Sequence, residues 1–301
     1  MSQTTNHPES EAVSRPASQT GKLVICPTPI GNLGDMTARA LDALRQADVV
    51  CAEDTRVTGR LLAAFGIEKR LERLDEASIT HAAPALIARI AAGEIVAYCS
   101  DAGMPGVSDP GQRLVSAARS AKVGVEVLPG PTATATAYVA SGFTCPRFYF
   151  GGFFPRKAAE RVAVLENLHT LDAVLLFYES PKRIVSALEA IAVAFPQREV
   201  ALCRELTKMH EEVVRALSGA VAQEFATRAQ VTPVKGEIVI VIDAPSTAEQ
   251  LSDADLATDA ARVRAAELKA QGTCTKKDIT QALQTEFGIA RNAAYAIVLH
   301  G

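Results

Sequence analysis

LVICPTPIGNLGDMT, residues 23–37, decides the fold, because an apolar strand runs without pause into a Pro/Gly loop and then into an amphipathic helix. Leu23, Val24, Ile25 and Cys26 make a short buried-strand run that Pro27 and Pro29 stop. Gly31 and Gly34 allow tight turns, and Thr37 stands where a helix would be capped. Beyond it, Ala40, Leu41, Leu44 and Ala47 fall on one helical face. A strand–loop–helix opening in an α/β protein presents backbone N–H groups at the carboxyl edge of a sheet, where small molecules bind. The loop lacks both G-x-G-x-x-G and G-x-x-x-x-G-K-[ST], so the usual dinucleotide and P-loop readings lose their main support.

Outward from this stretch the pattern repeats. Strand-like runs at residues 49–52, 95–99 and 125–128 alternate with helical stretches, which argues for a mostly parallel, twisted sheet. Three of these strands end in loops, TPIGNLGD, SDAGMPGVSDPG (residues 100–111) and PGPTA (residues 129–133), that would line one rim. A second set starts at FYFGGFF (148–154) and continues through a helical segment at 158–168, DAVLLFYESPKR, a helix through 187–194, REVALCRELTK and KGEIVIVI (235–242). Mixed hairpin-like and helical neighbours suit a second α/β or α+β domain. Pro245, Ser246, Thr247 and Ala248 read as a linker. Past it, Gly272 and Gly288 divide the remainder into three helices of helix-turn-helix-like character. The expected organisation is a disordered tail (1–21), an N-terminal α/β domain (22–145), a second α/β domain (146–245) and a small helical domain (250–301).

With 301 residues, 48% of them apolar, the chain can build two real cores, and wholesale disorder is excluded. Its six cysteines are scattered without C-x-x-C or zinc spacing, which reads as reduced thiols in a cytoplasmic protein. No apolar run has signal-peptide character near the start or membrane-spanning length later. A net charge of −3 says little about partners, because RNA binding needs only a local basic face. From Ala260 onward six Lys/Arg stand against three acids; a solvated helical face and an RNA-facing one explain this equally well.

In SDAGMPGVSDPG, glycines let backbone approach a ligand while Asp101 or Asp109 accepts hydrogen bonds; a long structural turn is the plainer alternative. No further ligand stands at metal spacing, so no metal is expected. In PGPTA, Thr132 can face a ligand or simply cap a helix. In AEDTR, Glu53, Asp54 and Arg56 can act on a substrate or form a structural ion pair. The dispersed histidines and the lack of any Ser/His/Asp or Cys/His arrangement leave hydrolytic nucleophile chemistry unsupported.

The strings TPIGNLGDMT, AEDTR, SDAGMPGVSDPG, LPGPTA, GGFFPRK, FYESPKR, RELTKMHEE and KGEIVIVI, in this order, resemble the ribosomal RNA small subunit methyltransferase I family of the tetrapyrrole-methylase superfamily, over about residues 22–243. The resemblance implies a homodimeric enzyme that moves a methyl group from S-adenosylmethionine (SAM) to the ribose 2′-OH of a decoding-centre cytidine of 16S rRNA in the 30S subunit. It also implies two α/β domains with SAM in a cleft between them. A small-molecule methylase acting on a precorrin-like tetrapyrrole is the alternative on the same fold.

Carried over by motif, the SAM contacts would be Pro29, Ser100, Asp101, Ala102, Gly103, Pro105, Val107, Thr132 and Ala133, with Tyr178, Glu179, Leu206 and Gly236 from the second half. Glu53, Arg56 and Glu205 are the catalytic candidates. Arg156, Lys157, Lys182, Lys208, Lys276 and Lys277 are the RNA-binding candidates. Where the family often carries a histidine- and asparagine-containing stretch, this chain reads RLDEASITHAA, and His81 is not assigned a role.

Overall fold

The computed structural model describes residues 21–271 and 274–300. Apart from Gly21, the expected tail lies outside the described residues, as does Gly272. The chain forms two compact units, Met1–Thr136 with Leu206–Met209, and Ala137–Glu205 with His210–Gly301.

In the first unit, strands β1 (Lys22–Ile25), β2 (Val49–Ala52), β3 (Leu71–Arg73), β4 (Ile95–Cys99) and β5 (Gly124–Val127) form one sheet in the order β3-β2-β4-β1-β5. Every pairing is parallel, as the βα alternation predicts. Alternate strand residues serve two cores. Val24, Val50, Ala97 and Cys99 pack with Ala40 and Leu44 of α1 (Ala38–Gln46) and Leu62 of α2 (Thr55–Ala64). Leu23, Ile25, Val49, Cys51, Val96 and Tyr98 pack with Ile79, Leu86 and Ile90 of α3 (Ile79–Ala91) and Leu114 and Ala118 of α4 (Gly111–Ser120). Burial on both faces is why these central strands read as unbroken apolar runs. The connections β1→β2→β3 travel one way along the sheet and β3→β4→β5 the other, so right-handed crossovers put the two helix pairs on opposite faces. The direction reverses between neighbours β2 and β4, which opens a crevice at their carboxyl ends.

The second unit holds β6 (Phe148–Phe153), β7 (Val174–Glu179), β8 (Glu199–Arg204), β9 (Glu212–Leu217) and β10 (Ile238–Ile242) in the order β6-β7-β10-β8-β9. Only β6 and β7 run parallel; the remaining pairings are antiparallel. Helices α6 (Ala158–Asn167), α7 (Ile184–Ala194) and α8 (Ser218–Val231) supply Leu165, Leu188, Ile191, Val221 and Phe225 to its core.

The unit boundary falls at Thr136/Ala137, inside α5 (Ala133–Ser141), not at the expected 145/146. The end of α5 is fixed in the second unit: the Tyr138 ring packs on Phe148 at 5.0 Å, and the Ala137 carbonyl accepts from Cys203 Sγ. The expected linker is also shorter, since α9 (Thr247–Gln271) already includes Thr247 and Ala248. Ser246 accepts from the Glu249 amide at 3.1 Å and so starts the helix. Helices α10 (Lys276–Phe287) and α11 (Arg291–His300) complete the tail around Ala261, Ala265, Ile279, Leu283, Ala294 and Val298. Thr275 and Asp278 form a capping box at the start of α10, and Gly288, with φ 65°, ends it.

Candidate functional site

At the carboxyl edge of the parallel sheet, the loops after β1, β4 and β5 interlock. Thr28 and Gly103 exchange backbone hydrogen bonds at 2.9 and 3.1 Å. The Thr28 hydroxyl donates to the Ser100 carbonyl at 3.2 Å, and the buried Ser100 hydroxyl lies 3.4 Å from the Ala102 and Gly103 carbonyls. A methyl group at Gly103 would meet Ile30 on one side and the Pro131 carbonyl on the other, at 3.2 and 3.6 Å. At Gly130 it would sit only 2.5 Å from Pro27 Cβ, so the third loop can close on the first only without a side chain. The structure therefore brings Pro29, Ser100, Asp101, Ala102, Gly103, Thr132 and Ala133 together on one rim. Thr132 sits just before α5 and accepts from the Thr136 amide and hydroxyl at 3.1 and 2.9 Å.

Pro105 and Val107 lie further along the β4 loop, which is shaped by Asp109. One carboxylate oxygen of Asp109 accepts from the amides of Gly106 and Gly111, each at 2.8 Å. The sequence reading left open whether Asp101 or Asp109 faces a ligand. Asp109 is used within its own loop, whereas Asp101 is exposed and accepts from the Asp54 amide at 3.0 Å. The missed signal was the spacing of Asp109 against Gly106 and Gly111, which is that of an Asx-type turn.

The β2 loop stands across the crevice from the β4 loop. Asp54 caps α2 through the Arg56 amide at 2.8 Å and grips the Arg56 guanidinium at 3.0 and 2.6 Å. Arg56 hydrogen-bonded to it holds the Asp54 carboxyl well below the usual carboxylate range. Of the two readings of AEDTR, the ion pair accounts for Asp54 and Arg56. Glu53 differs: it is half-buried, and burial, then the charges of Asp101, Asp109 and Asp75, push its carboxyl up. A carboxylate poised toward the protonated form beside the ligand rim is suited to accept a proton.

In the second unit, Tyr178 on β7 packs edge-on against Phe150 and Phe153, with centroids 4.8 and 5.6 Å apart. Glu179 is 3% exposed. It pairs with Arg183, lies 3.9 Å from Arg161, and accepts from the Ser180 amide at 2.6 Å. One carboxylate oxygen, Oε1, is thus engaged by Ser180 and Arg183, while Oε2 is buried without a hydrogen-bond partner. Glu205 exchanges two hydrogen bonds with Glu237, its own amide donating at 2.9 Å and its carboxylate accepting at 2.8 Å. Gly236 lies directly beside it.

Leu206 and Lys208 belong to the first unit, Leu206 buried and Lys208 half-buried. Arg156, Lys157 and Lys182 are exposed, and Lys157 pairs with Glu160 at 2.8 Å. Lys276 and Lys277 are exposed at the start of α10. Arg262 is tied to Asp259, and Arg264 to Glu267 and Glu286, which removes much of the tail's apparent basicity. His81 is exposed in the first turn of α3. Among the described residues no three potential metal ligands gather, and no helix is long and apolar enough to cross a membrane.

Residues 22–222 match the family model of the tetrapyrrole (corrin/porphyrin) methylases. A ribosomal RNA small subunit methyltransferase I of Streptococcus pyogenes serotype M1 is 42% identical over 239 residues, 78% of this chain and 82% of that one. Its counterpart from Escherichia coli O157:H7 is 39% identical over 285 residues, 93% of this chain and 91% of its own length. A solved diphthine synthase superposes with a TM-score of 0.59 at 18% identity, covering 77% of this chain and 93% of its own, a likeness of fold alone. The parallel-sheet unit, the mixed-sheet unit and the interlocked rim thus occur in a chain that belongs to the tetrapyrrole methylase family and, within it, to the ribosomal RNA small subunit methyltransferase I family.

Proposed function

We propose that this chain is a SAM-dependent methyltransferase that acts on small-subunit ribosomal RNA, and that its target is the ribose 2′-OH of a decoding-centre cytidine. The observation that carries the reading is the match, over 93% of this chain, to a ribosomal RNA small subunit methyltransferase I, together with a backbone-lined rim at the carboxyl edge of the parallel sheet. The rim fits SAM chemically: Asp101 is open to accept from hydroxyl or amino groups, and the converging loops offer peptide groups with little side-chain bulk. Pro29, Ser100, Asp101, Ala102, Gly103, Pro105, Val107, Thr132, Ala133 and Leu206 would hold it in the first unit; Tyr178, Glu179 and Gly236 would be further SAM contacts on the strength of the family motifs alone.

When bound, SAM supplies an electrophilic methyl carbon on a sulfonium. The protein's task is to hold the ribose oxygen in line with that carbon, and positioning of this kind is worth roughly 7–11 kcal/mol. The interlocked rim gives the stiffness such positioning needs. Glu53 accepts the hydroxyl proton as the oxygen attacks, a contribution of about 10²–10⁴-fold. Arg56, exposed and paired with Asp54, is the cationic candidate on the same loop, and Glu205 is the second candidate acceptor. Arg156, Lys157, Lys182, Lys208, Lys276 and Lys277 neutralise RNA phosphates, so binding weakens steeply with salt. A cytoplasmic homodimer completes the proposal; the edge strand β6, with Phe148, Tyr149 and Phe153 exposed, offers an apolar surface for a second copy.

The test is methyl transfer from labelled SAM to purified 30S subunits lacking the modification, with the product mapped by alkali resistance of the RNA backbone. Label at one decoding-centre cytidine is the expected result. SAM binding without transfer to any small-subunit RNA would refute the substrate and favour a small-molecule acceptor on the same fold.

A further inference from the structure

The RELTK turn that follows β8 combines three structural features. First, Glu205 and Thr207 have φ of 52° and 67°, a left-handed backbone that side chains other than glycine adopt at a cost. Such strain persists only where the surroundings enforce it. Second, two glycines receive the turn's side chains. A methyl group at Gly236 would lie 2.4 Å from Glu205 Cγ, and one at Gly31 would lie 2.4 Å from Lys208 Cγ and 2.8 Å from Lys208 Cε. Third, Leu206, between them in sequence, is only 6% exposed and serves as an apolar anchor. The Lys208 stem therefore lies flat along the backbone of the first loop of the ligand rim, in a notch that only glycine leaves open. Holding a long, rotamer-rich side chain this way removes the conformational freedom it would otherwise lose on meeting a ligand.

We infer that Gly31 is a positioning residue for Lys208, and that the strained turn is a preorganised mount holding the Lys208 ammonium to bind a backbone phosphate of the RNA substrate at the rim. This rests on the RNA-methylation reading and adds to it a fixed phosphate contact, its location and the device that fixes it. A compact ammonium suits a phosphate oxygen as a point charge. The role belongs to RNA capture and not to SAM binding.

The experiment compares wild type, Lys208→Met, Lys208→Arg, Lys208→Ala, Gly31→Ala and the double variant Gly31→Ala/Lys208→Ala. It reads KM for 30S subunits, the salt dependence of small-subunit RNA binding, and the SAM dissociation constant by calorimetry. Lys208→Met, which keeps the stem and loses the charge, is expected to raise KM about tenfold, and to lower the slope of log affinity against log salt by about 1. Lys208→Arg retains more affinity than Lys208→Met, and the SAM constant does not move. Gly31→Ala reproduces the KM defect in the wild-type background but adds less than about twofold to Lys208→Ala, where Cγ and Cε, the two nearest atoms it would strike, are gone and only Thr207 Oγ1 at 3.0 Å remains.

Multiplying effects in the double variant would overturn the notch. An unchanged KM and salt slope in Lys208→Met would overturn the phosphate contact, as would a defect confined to SAM binding. Should wild type bind SAM and small-subunit RNA yet transfer no methyl group, the proposed function falls, while the salt slope still tests the Lys208 contact.

Discussion

At the residue scale, the carboxyl groups around the rim separate by environment. Asp54 is kept ionised by Arg56 and Asp109 is bound to two amides of its own loop, whereas Glu53 is pushed toward protonation. The acid limb of the single-turnover rate is therefore expected above the ordinary carboxylate range, with the rate rising as Glu53 ionises. Glu53→Gln should remove that limb and slow transfer by about 10²–10⁴-fold with SAM and RNA bound. An unchanged rate would exclude Glu53 as the acceptor. Linkage adds a second readout. A carboxyl whose folded pKa is raised contributes less stability as pH climbs from its unfolded value through the folded one, so Glu53→Gln should raise the unfolding midpoint slightly at neutral pH. In the second unit, removal of Glu179 leaves Arg161, itself 5% exposed, without its buried counter-charge. Glu179→Ala is expected to lower stability in urea by about 3–5 kcal/mol, whereas a purely ligand-binding Glu179 would leave stability near wild type.

At the scale of elements, the opening strand–loop–helix was legible because each of its signals is local. Thr37 does cap α1, accepting from the Ala40 amide at 3.1 Å, and Ala40 and Leu44 do face the core. Thr37→Ala should cost about 1 kcal/mol in equilibrium unfolding; no measurable loss would mean that packing alone holds α1 in place. The elements that escaped the sequence reading have weak local signals. β3 is three residues long and half-buried at best, and it exists because β2 offers it a parallel edge. β9 alternates half-buried and exposed residues beside β8, and α8 is fixed by the packing of Val221 and Phe225 into the second core. In each case a partner distant in sequence supplies the stabilisation, as tertiary context commonly does for strands.

At the scale of the molecule, the exposed aromatics of β6 make oligomeric state a direct test. Phe153 is 61% exposed on an edge strand, and Phe153→Glu is expected to shift sedimentation from dimer to monomer without unfolding the chain. A wild-type monomer at micromolar concentration would remove the dimer from the proposal. The sequence by itself determined the two α/β halves, the parallel character of the first sheet, the helical tail and the family. These follow from periodicity, turn residues and ordered motifs, which are written along the chain. Only the tertiary structure decided which members of a motif are spent on the fold. AEDTR contains three charged residues that look alike in sequence, yet Asp54 and Arg56 bind each other while Glu53 is left beside Asp101 and Asp109. Gly31 and Lys208 stand 177 positions apart, and nothing local marks them as a pair. The physical reason is the same for both. Local propensity and hydrophobic pattern act over a few residues, whereas desolvation, charge proximity and steric notches depend on atoms that meet only once the strands have paired.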